Sequence, residues 1–415
     1  MYWLIEDKDK IKQLCEKSHE QAYVEIIPTS NILHPTQNTI CAVFIYPKDD
    51  TKGYIIPLNH TETLNLEITD VLEVLNSIEK IYVRDAKTFL HYIKIKHIYS
   101  PPPSPHPYIP TLTTAHTHMY ANKDITHLNM LVPIVKHYEL CMENYNHYDF
   151  NFSNNFYTKS ALVFGAVENS GIKVDTTLYQ RYYEQDIEEY VYTNYNLNTL
   201  TTRPSNTFGG INFSAIKKDD KKRECFIPSN DIFVEMDISA YHPTLLGNLL
   251  GWDWDESDIH DSFSKMYGVD YAKAKELTFK QLYGGIFKQY EDLPFFKLVK
   301  EYTDNLWNDF KTNGYIECPI SKYRFEDEKL EDMNPQKLLN YLLQNLETSQ
   351  NVLILWDIFK ILRGKNTKLI LYVYDSFLFD VDREEKQVLS QIYDVFTKYN
   401  LSVKFKKGIN YNLDS

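Results

Sequence analysis

The sequence predicts a mixed α/β fold of the α+β kind, divided into two or three domains. Three observations carry that expectation. The chain has 415 residues, more than one hydrophobic core usually organises. Its first hundred residues switch between helix-like and strand-like hydrophobic periods. Its second half holds two apolar strand candidates, residues 232–236 and 369–373, which run into Asp237 and Asp375 and are separated by a long helical stretch.

Composition narrows the class. A hydrophobic share of 43% and a charged share of 24% are those of a globular domain and argue against a disordered chain. With 33 Tyr and 22 Phe against 13 Gly, the chain suits large packed domains. The formal charge of −13 is the reverse of the usual nucleic-acid footprint. What binds, however, is the local field of a cleft, and basic clusters occur at 217–223 (KKDDKKR) and 404–407 (KFKK). Each of these, taken alone, reads equally well as a solvated loop. Five scattered cysteines with no CxxC pair point to a reducing compartment, with neither a disulfide framework nor a cysteine zinc site. No apolar run reaches the roughly 18 residues a membrane span needs. The opening MYWLIEDKDK is charged too early for a signal peptide. A cytoplasmic protein with no membrane partner is expected.

The elements follow in order. Residues 7–17 read as a helix, and 22–27, 39–46 and 54–58 as strands, the last two joined by the turn PKDDTKG. Residues 101–110 (PPPSPHPYIP) must be an extended loop, since successive prolines exclude helix and central strand. From 127 to about 195 apolar residues recur at helical spacing. A polar loop, RPSNTFGGINFS, then leads to the strand that stops at Asp237. Residues 257–362 read as helical, and 369–381 as a hairpin with Asp375 at its tip.

Two aspartates at strand ends are what two-metal phosphoryl transfer requires: carboxylates held rigidly within reach of two ions about 4 Å apart. Mg²⁺ suits such hard oxygen ligands. A single Asp at a strand end is more often a turn residue, so the pair carries the argument. Inside the helical insertion Lys275, Phe279 and Tyr283 recur every four residues and share one helix face, followed at once by Gly284 and Gly285. An amphipathic helix with a glycine cap explains that pattern too. The functional reading adds a lysine for a triphosphate and two rings for a base.

The ordered motifs TTRPSNTFGGIN, EMDISAYHP, DIH, KELTFKQLYGG, NYLLQNLET and YVYDSF resemble the core of family A DNA polymerases, with wording similar to the compact bacteriophage-type members. They span residue 201 to about 380. The resemblance implies a right-hand fold of palm and fingers with a reduced thumb, and template-directed extension of a primer 3′-OH with dNTPs. It assigns two Mg²⁺ ions (Mn²⁺ able to substitute) to Asp237, Asp375 and the Ile238 carbonyl. Lys275 and His260 would meet the triphosphate. Phe279, Tyr283 and His242 would border the base and sugar, with His242 standing where glutamate is usual and acting in the gate against ribonucleotides. Arg203, Asn340 and Gln344 would contact primer and template. Tyr271 stands where an arginine usually joins the fingers lysine, with Lys273 a possible substitute, and Ser376 stands where many members have Glu.

Residues 2–135 resemble, more weakly, the 3′→5′ exonuclease domain of the same family, which has an RNase H-like fold. Of its four metal-binding acids the matching strand AYVEIIPT keeps only Glu25; RDAKTFL has Phe89 in place of an acid, and only Asp124, four after Tyr120, survives from the third motif. One or two acids do not hold two metals, which implies an inactive, bracing domain. The motif GIKVD at 171–175 resembles the start of a thumb, and the short distance from there to Arg203 leaves room for a stub. The implied boundaries are 1–135 exonuclease-like domain, 136–200 helical linker and reduced thumb, 201–256 first part of the palm, 257–335 fingers and 336–415 second part of the palm. Primer–template DNA, dNTPs and a processivity factor are the implied partners, in a host cytoplasm if the source is a phage. A single-subunit RNA polymerase and a catalytically silent DNA-binding scaffold are the alternatives.

Overall fold

The computed structural model describes residues 2–30, 33–95, 97–100, 154–206, 211–217, 220–255 and 258–414. The proline-rich loop 101–110, Tyr120, Asp124, the first part of the helical stretch from 127, Gly209, Gly210 and the middle of the 217–223 cluster lie outside them. The chain divides into two units, Met1–Asn169 and Ser170–Ser415.

The first unit is a mixed six-stranded sheet with helices. Its elements are β1 (Tyr2–Leu4), α1 (Lys8–Glu16), β2 (Gln21–Pro28), β3 (Ile40–Pro47), β4 (Gly53–Pro57), α2 (Ile68–Ser77), β5 (Lys80–Tyr82), α3 (Ala86–Tyr92), β6 (Ile98–Tyr99) and α4 (Asn154–Ser170). Asp7 caps α1 by accepting from the Lys10 amide at 2.8 Å, as its position before the apolar period led one to expect. The strand order is β1-β4-β3-β2-β5-β6, with β2, β3 and β4 antiparallel as the turn PKDDTKG requires. β2 and β3 are buried on both faces, so they appear in sequence as continuous apolar runs. Ile11 and Leu14 of α1 and Val71, Val74 and Leu75 of α2 close the core.

The second unit carries β7 (Ile172–Lys173), α5 (Thr176–Tyr183), β8 (Tyr190–Val191), β9 (Tyr195–Asn196), β10 (Ser205–Asn206), β11 (Ile232–Ile238), α6 (Tyr241–Leu250), α7 (Ile259–Tyr267) and α8 (Tyr271–Gly284). It continues with α9 (Pro294–Asn313), β12 (Tyr315–Glu317), β13 (Arg324–Glu326), α10 (Pro335–Leu362), β14 (Lys368–Val373), β15 (Ser376–Val381), α11 (Gln387–Lys398) and β16 (Val403–Gly408). Its main sheet is antiparallel, in the order β14-β15-β11-β16. The 28-residue α10 packs against α6, α8, α9 and α11.

Four sequence expectations need correction. The strand expected to stop at Asp237 runs through Ile238, because Asp237 itself pairs with Ser376 on one side and Lys404 on the other. The helical stretch 257–362 is interrupted by the β12–β13 hairpin, whose three-residue strands are too short to show a period of two. Between 154 and 195 the helices are broken by β7 and β8, which pair with each other. The KFKK cluster is no loop but the edge strand β16.

Candidate active site

The antiparallel pair β14–β15 turns at Tyr374 and Asp375, with Tyr374 in the left-handed region at φ 59°. A non-glycine residue there is held by its surroundings. Asn351 of α10 donates to the Tyr374 carbonyl at 2.9 Å and to the Tyr372 hydroxyl at 2.8 Å. The Ile238 amide donates to the Asp375 carbonyl at 2.8 Å, so the ends of β11 and the β14–β15 turn are stitched together. Directly after β11, Ala240 also adopts a left-handed conformation, φ 47°, and swings the chain into α6. Asp237 and Asp375 thereby face one cavity of about 160 Å³.

Asp375 is pushed up to about 6 from an ordinary 3.8, first by burial and then by the charges of Asp237 and Glu347. Two carboxylates compressed in this way gain from a divalent cation between them. Among the described residues no group of three or more His, Cys, Asp or Glu side chains is arranged as a metal site. Asp237 and Asp375 are the carboxylates that could hold such a cation, a pair that suits a hard ion completed by other oxygen ligands rather than a closed protein cage.

The opposite wall is α8. Asp270 caps its start through the Lys273 amide, and Gly285 ends it at φ 100°, a conformation that favours glycine. Lys275, Phe279 and Tyr283 line the cavity from this helix, and the two rings stack with centroids 6.0 Å apart and planes at 7°. His260, first turn of α7, is buried beside them and its Nδ1 has no protein partner. Burial and then the Lys275 charge hold its imidazole below the usual value, so at neutral pH it presents a neutral ring able to donate to an anion.

His242 is buried in α6 and held at both nitrogens. Its Nε2 lies 2.5 Å from Glu347 Oε2 and its Nδ1 2.6 Å from the Tyr283 hydroxyl. The carboxylate only accepts, so Nε2–H donates to it, and in the neutral ring Nδ1 accepts from the Tyr283 hydroxyl. A His242 ring turned to solvent is incompatible with this burial and these contacts. The Tyr283 ring is 40% exposed while its hydroxyl points inward, where burial pushes it up to about 12. On the other side of Glu347, Arg203 Nη2 stands 3.3 Å from Oε1, and its guanidinium lies 3.8 Å over the Tyr374 ring. A continuous set of contacts thus runs from Tyr283 through His242, Glu347 and Arg203 to the turn that bears Asp375.

Nine of the eleven residues expected at the site line this cavity: Arg203, Asp237, Ile238, His242, His260, Lys275, Phe279, Tyr283 and Asp375. Asn340 and Gln344 do not. Asn340 donates to the Tyr283 carbonyl at 3.2 Å, and Gln344 accepts from Thr201 at 3.0 Å. Lys273 is paired with Glu276 at 3.0 Å on the exposed side of α8 and does not line the cavity. Sequence reasoning missed Tyr241, Glu347 and Lys404, which do. Glu347 sits three residues after Gln344 in the same motif, and that helical spacing was the signal that could have found it.

No family model matches the chain. In an alignment of 264 residues that covers 51% of this chain it is 26% identical to DNA polymerase I of Caldicellulosiruptor bescii, and the match spans 31% of that protein. The chain thus covers about a third of the length of this curated relative. Across 99% of both chains its structure is similar to the POL domain of Pol1 from M. smegmatis in complex with DNA primer-template and dNTP, with a TM-score of 0.71 at 14% identity. The fold is that of a polymerase POL domain. It agrees with the palm-and-fingers arrangement expected from the motifs. No helix among the described residues is long and apolar enough to cross a membrane.

Proposed function

We propose that the protein is a DNA-directed DNA polymerase that extends a primer 3′-OH along a template with dNTPs. The observation that carries this reading is the convergence of Asp237, from strand β11, and Asp375, from the β14–β15 turn, on a cavity whose far wall offers Lys275, His260 and the stacked Phe279 and Tyr283. A cation and a neutral imidazole suit a triphosphate, and the stacked rings suit a base pair.

In this reading residues 201–256 and 336–415 form the palm and 257–335 the fingers, with a reduced thumb between 136 and 200. Asp237, Asp375 and the Ile238 carbonyl would hold Mg²⁺, for which Mn²⁺ can substitute. When bound, the two ions favour ionisation of the primer hydroxyl and offset the charge on the leaving pyrophosphate. The chain's own residues position the reactants. Lys275 and His260 orient the triphosphate, the rings of Phe279 and Tyr283 flatten the nascent pair, and Arg203 reaches from Glu347 towards the primer end. Asn340 and Gln344 act on template and primer from α10. Primer–template and dNTPs are the partners, with a processivity factor making up for a short thumb, in the cytoplasm of a cell or of a phage host.

The first unit is proposed to be an inactive exonuclease-like brace. Glu25 is buried and already engaged: Arg84 Nη2 stands 3.3 Å from one oxygen and Tyr23 donates to the other at 2.7 Å. Asp85 faces the same cavity but caps α3. That cavity measures about 50 Å³, far below the roughly 300 Å³ at which ligand pockets begin.

His242, anchored between Tyr283 and Glu347, favours deoxynucleotides over ribonucleotides and so a DNA over an RNA polymerase. Primer extension on a DNA template with each nucleotide set tests the reading. Extension with dNTPs supports it; extension with ribonucleotides alone would transfer the protein to the RNA polymerase class.

A further inference from the structure

Family A polymerases, which the motifs resemble, usually place an arginine one turn before the fingers lysine; here Tyr271 occupies that turn of α8. A phenol carries no positive charge, so the helix presents Lys275 alone to a triphosphate. The missing cation comes from elsewhere in the fold. Strand β16 pairs with β11 so that Lys404 stands directly opposite Asp237. Side chains of directly opposed residues project from the same face of a sheet, and Lys404 accordingly lines the cavity together with Asp237, Lys275 and His260.

Its present contacts are loose. Lys404 Nζ donates to the Tyr271 hydroxyl at 3.5 Å and lies 3.6 Å from Asp258 Oδ2, and its side chain is 59% exposed. Tyr271 itself donates to Asp258 at 3.1 Å. Lys406, two residues on and on the same face, is differently placed: it holds Glu235 at 2.6 Å, a short charge-assisted bond, and also lies 3.6 Å from Asp237 Oδ2. Lys406 is committed to the protein, whereas Lys404 exchanges two long contacts at little cost for a phosphate.

We propose that Lys404 is a nucleotide-binding residue that supplies the second cation to the β- and γ-phosphates of the incoming nucleotide, with Tyr271 and Asp258 holding it at the cavity mouth until the phosphates arrive. The triphosphate is then gripped from two elements, Lys275 on a helix and Lys404 on a sheet strand. Pyrophosphate, the product, is held by the same pair before release. The inference rests on the polymerase reading for the identity of the ligand, but its geometry requires only an anion of the polyphosphate class.

The test uses the full chain and its Lys404→Ala, Lys404→Arg and Lys407→Ala variants. Lys407 carries similar charge on the same strand but does not line the cavity. A hydrogen bond to a charged group is worth enough that Lys404→Ala should raise KM for dNTP, and the inhibition constant of pyrophosphate, by roughly tenfold or more. kcat should change less, the Kd for primer–template should stay level, and Lys404→Arg should retain most of the affinity. Adding Tyr271→Arg to Lys404→Ala should recover part of the loss. Binding of Mg²⁺-tripolyphosphate in the absence of DNA, measured by calorimetry on the same proteins, separates the two claims. A parent that extends no primer while Lys404→Ala still weakens tripolyphosphate would sink the polymerase reading and leave the site standing. An unchanged KM and unchanged tripolyphosphate affinity in Lys404→Ala, or an effect equalled by Lys407→Ala, would overturn the proposal. A loss confined to primer–template affinity would also overturn it, by assigning Lys404 to DNA.

Discussion

Replacing Asp375 by asparagine should stop synthesis and at the same time make the protein more stable. Asp375 is raised from 3.8 to about 6 by burial and by the Asp237 and Glu347 charges. Its folded value exceeds its unfolded value, so the folded state favours the protonated form. The stability that proton brings is complete below about pH 3.8 and is lost as pH rises through about 6. At pH 8 the ionised carboxylate therefore costs about 3 kcal/mol, since each tenfold change in proton affinity is worth roughly 1.4 kcal/mol. Asparagine has the same shape and no charge, and it removes most of that cost. For a unit of this size each kcal/mol moves Tm by roughly 2–4 °C, so Asp375→Asn should melt at least about 5 °C higher at pH 8 in EDTA. The gain should shrink as pH falls towards 4. Mg²⁺ should raise the Tm of the parent and leave the variant almost unmoved, since a ligand stabilises only the form that binds it. Differential scanning calorimetry at the two pH values reads all of this. An Asp375→Asn protein that melts at or below the parent at pH 8 would refute the idea that Asp375 is held under strain for a cation.

His242→Ala should raise relative ribonucleotide use by roughly tenfold, about 1.4 kcal/mol of lost discrimination, because Tyr283 loses its anchor and the wall beneath the sugar opens; equal ratios of kcat/KM in parent and variant would place the gate elsewhere, with Tyr283 next to be examined. Single-stranded DNA incubated with Mg²⁺ should remain undegraded, since Arg84 already occupies Glu25; steady 3′→5′ shortening that vanishes in Asp124→Ala would contradict the inactive reading of the first unit. Between the thumb-like motif and Arg203 the described chain offers one eight-residue helix, α5, so on the proposed reading few phosphates would be gripped behind the active site. Synthesis should then be distributive and more so as salt rises, and products of hundreds of nucleotides in one binding event under a DNA trap would rule this out.

The parts of the site legible in sequence are those fixed by local geometry. Asp237 and Asp375 end apolar runs, and Lys275, Phe279 and Tyr283 share a helix face by spacing alone; that the two sets meet, together with Arg203, Ile238, His242 and His260, was implied by the family resemblance. The palm-and-fingers fold followed from the order of such motifs. What was hidden depends on long-range pairing. Lys404 belongs to the site because β16 lies beside β11, a neighbour relation that no local pattern encodes, and within KFKK it resembles any solvated charge. Glu347 was masked by its helix: α10 buries Asn345, Glu347, Thr348, Ser349, Gln350 and Asn351 together, so its polar stripe breaks the apolar period without announcing which residue faces the cavity. His242 was located by its register from Asp237, but its partner Glu347 was not, because the two meet only through the packing of α6 against α10.

The most direct test of the central claim is single-turnover extension of a DNA primer–template by the parent and by Asp237→Ala, both at saturating dNTP and Mg²⁺, alongside the Kd of each for the same duplex. The account predicts that Asp237→Ala loses extension by several orders of magnitude, because removing one carboxylate removes a metal from the transition state, while Kd changes little since phosphate contacts dominate affinity. Extension by Asp237→Ala at more than a few per cent of the parent rate, with duplex binding intact, would contradict it.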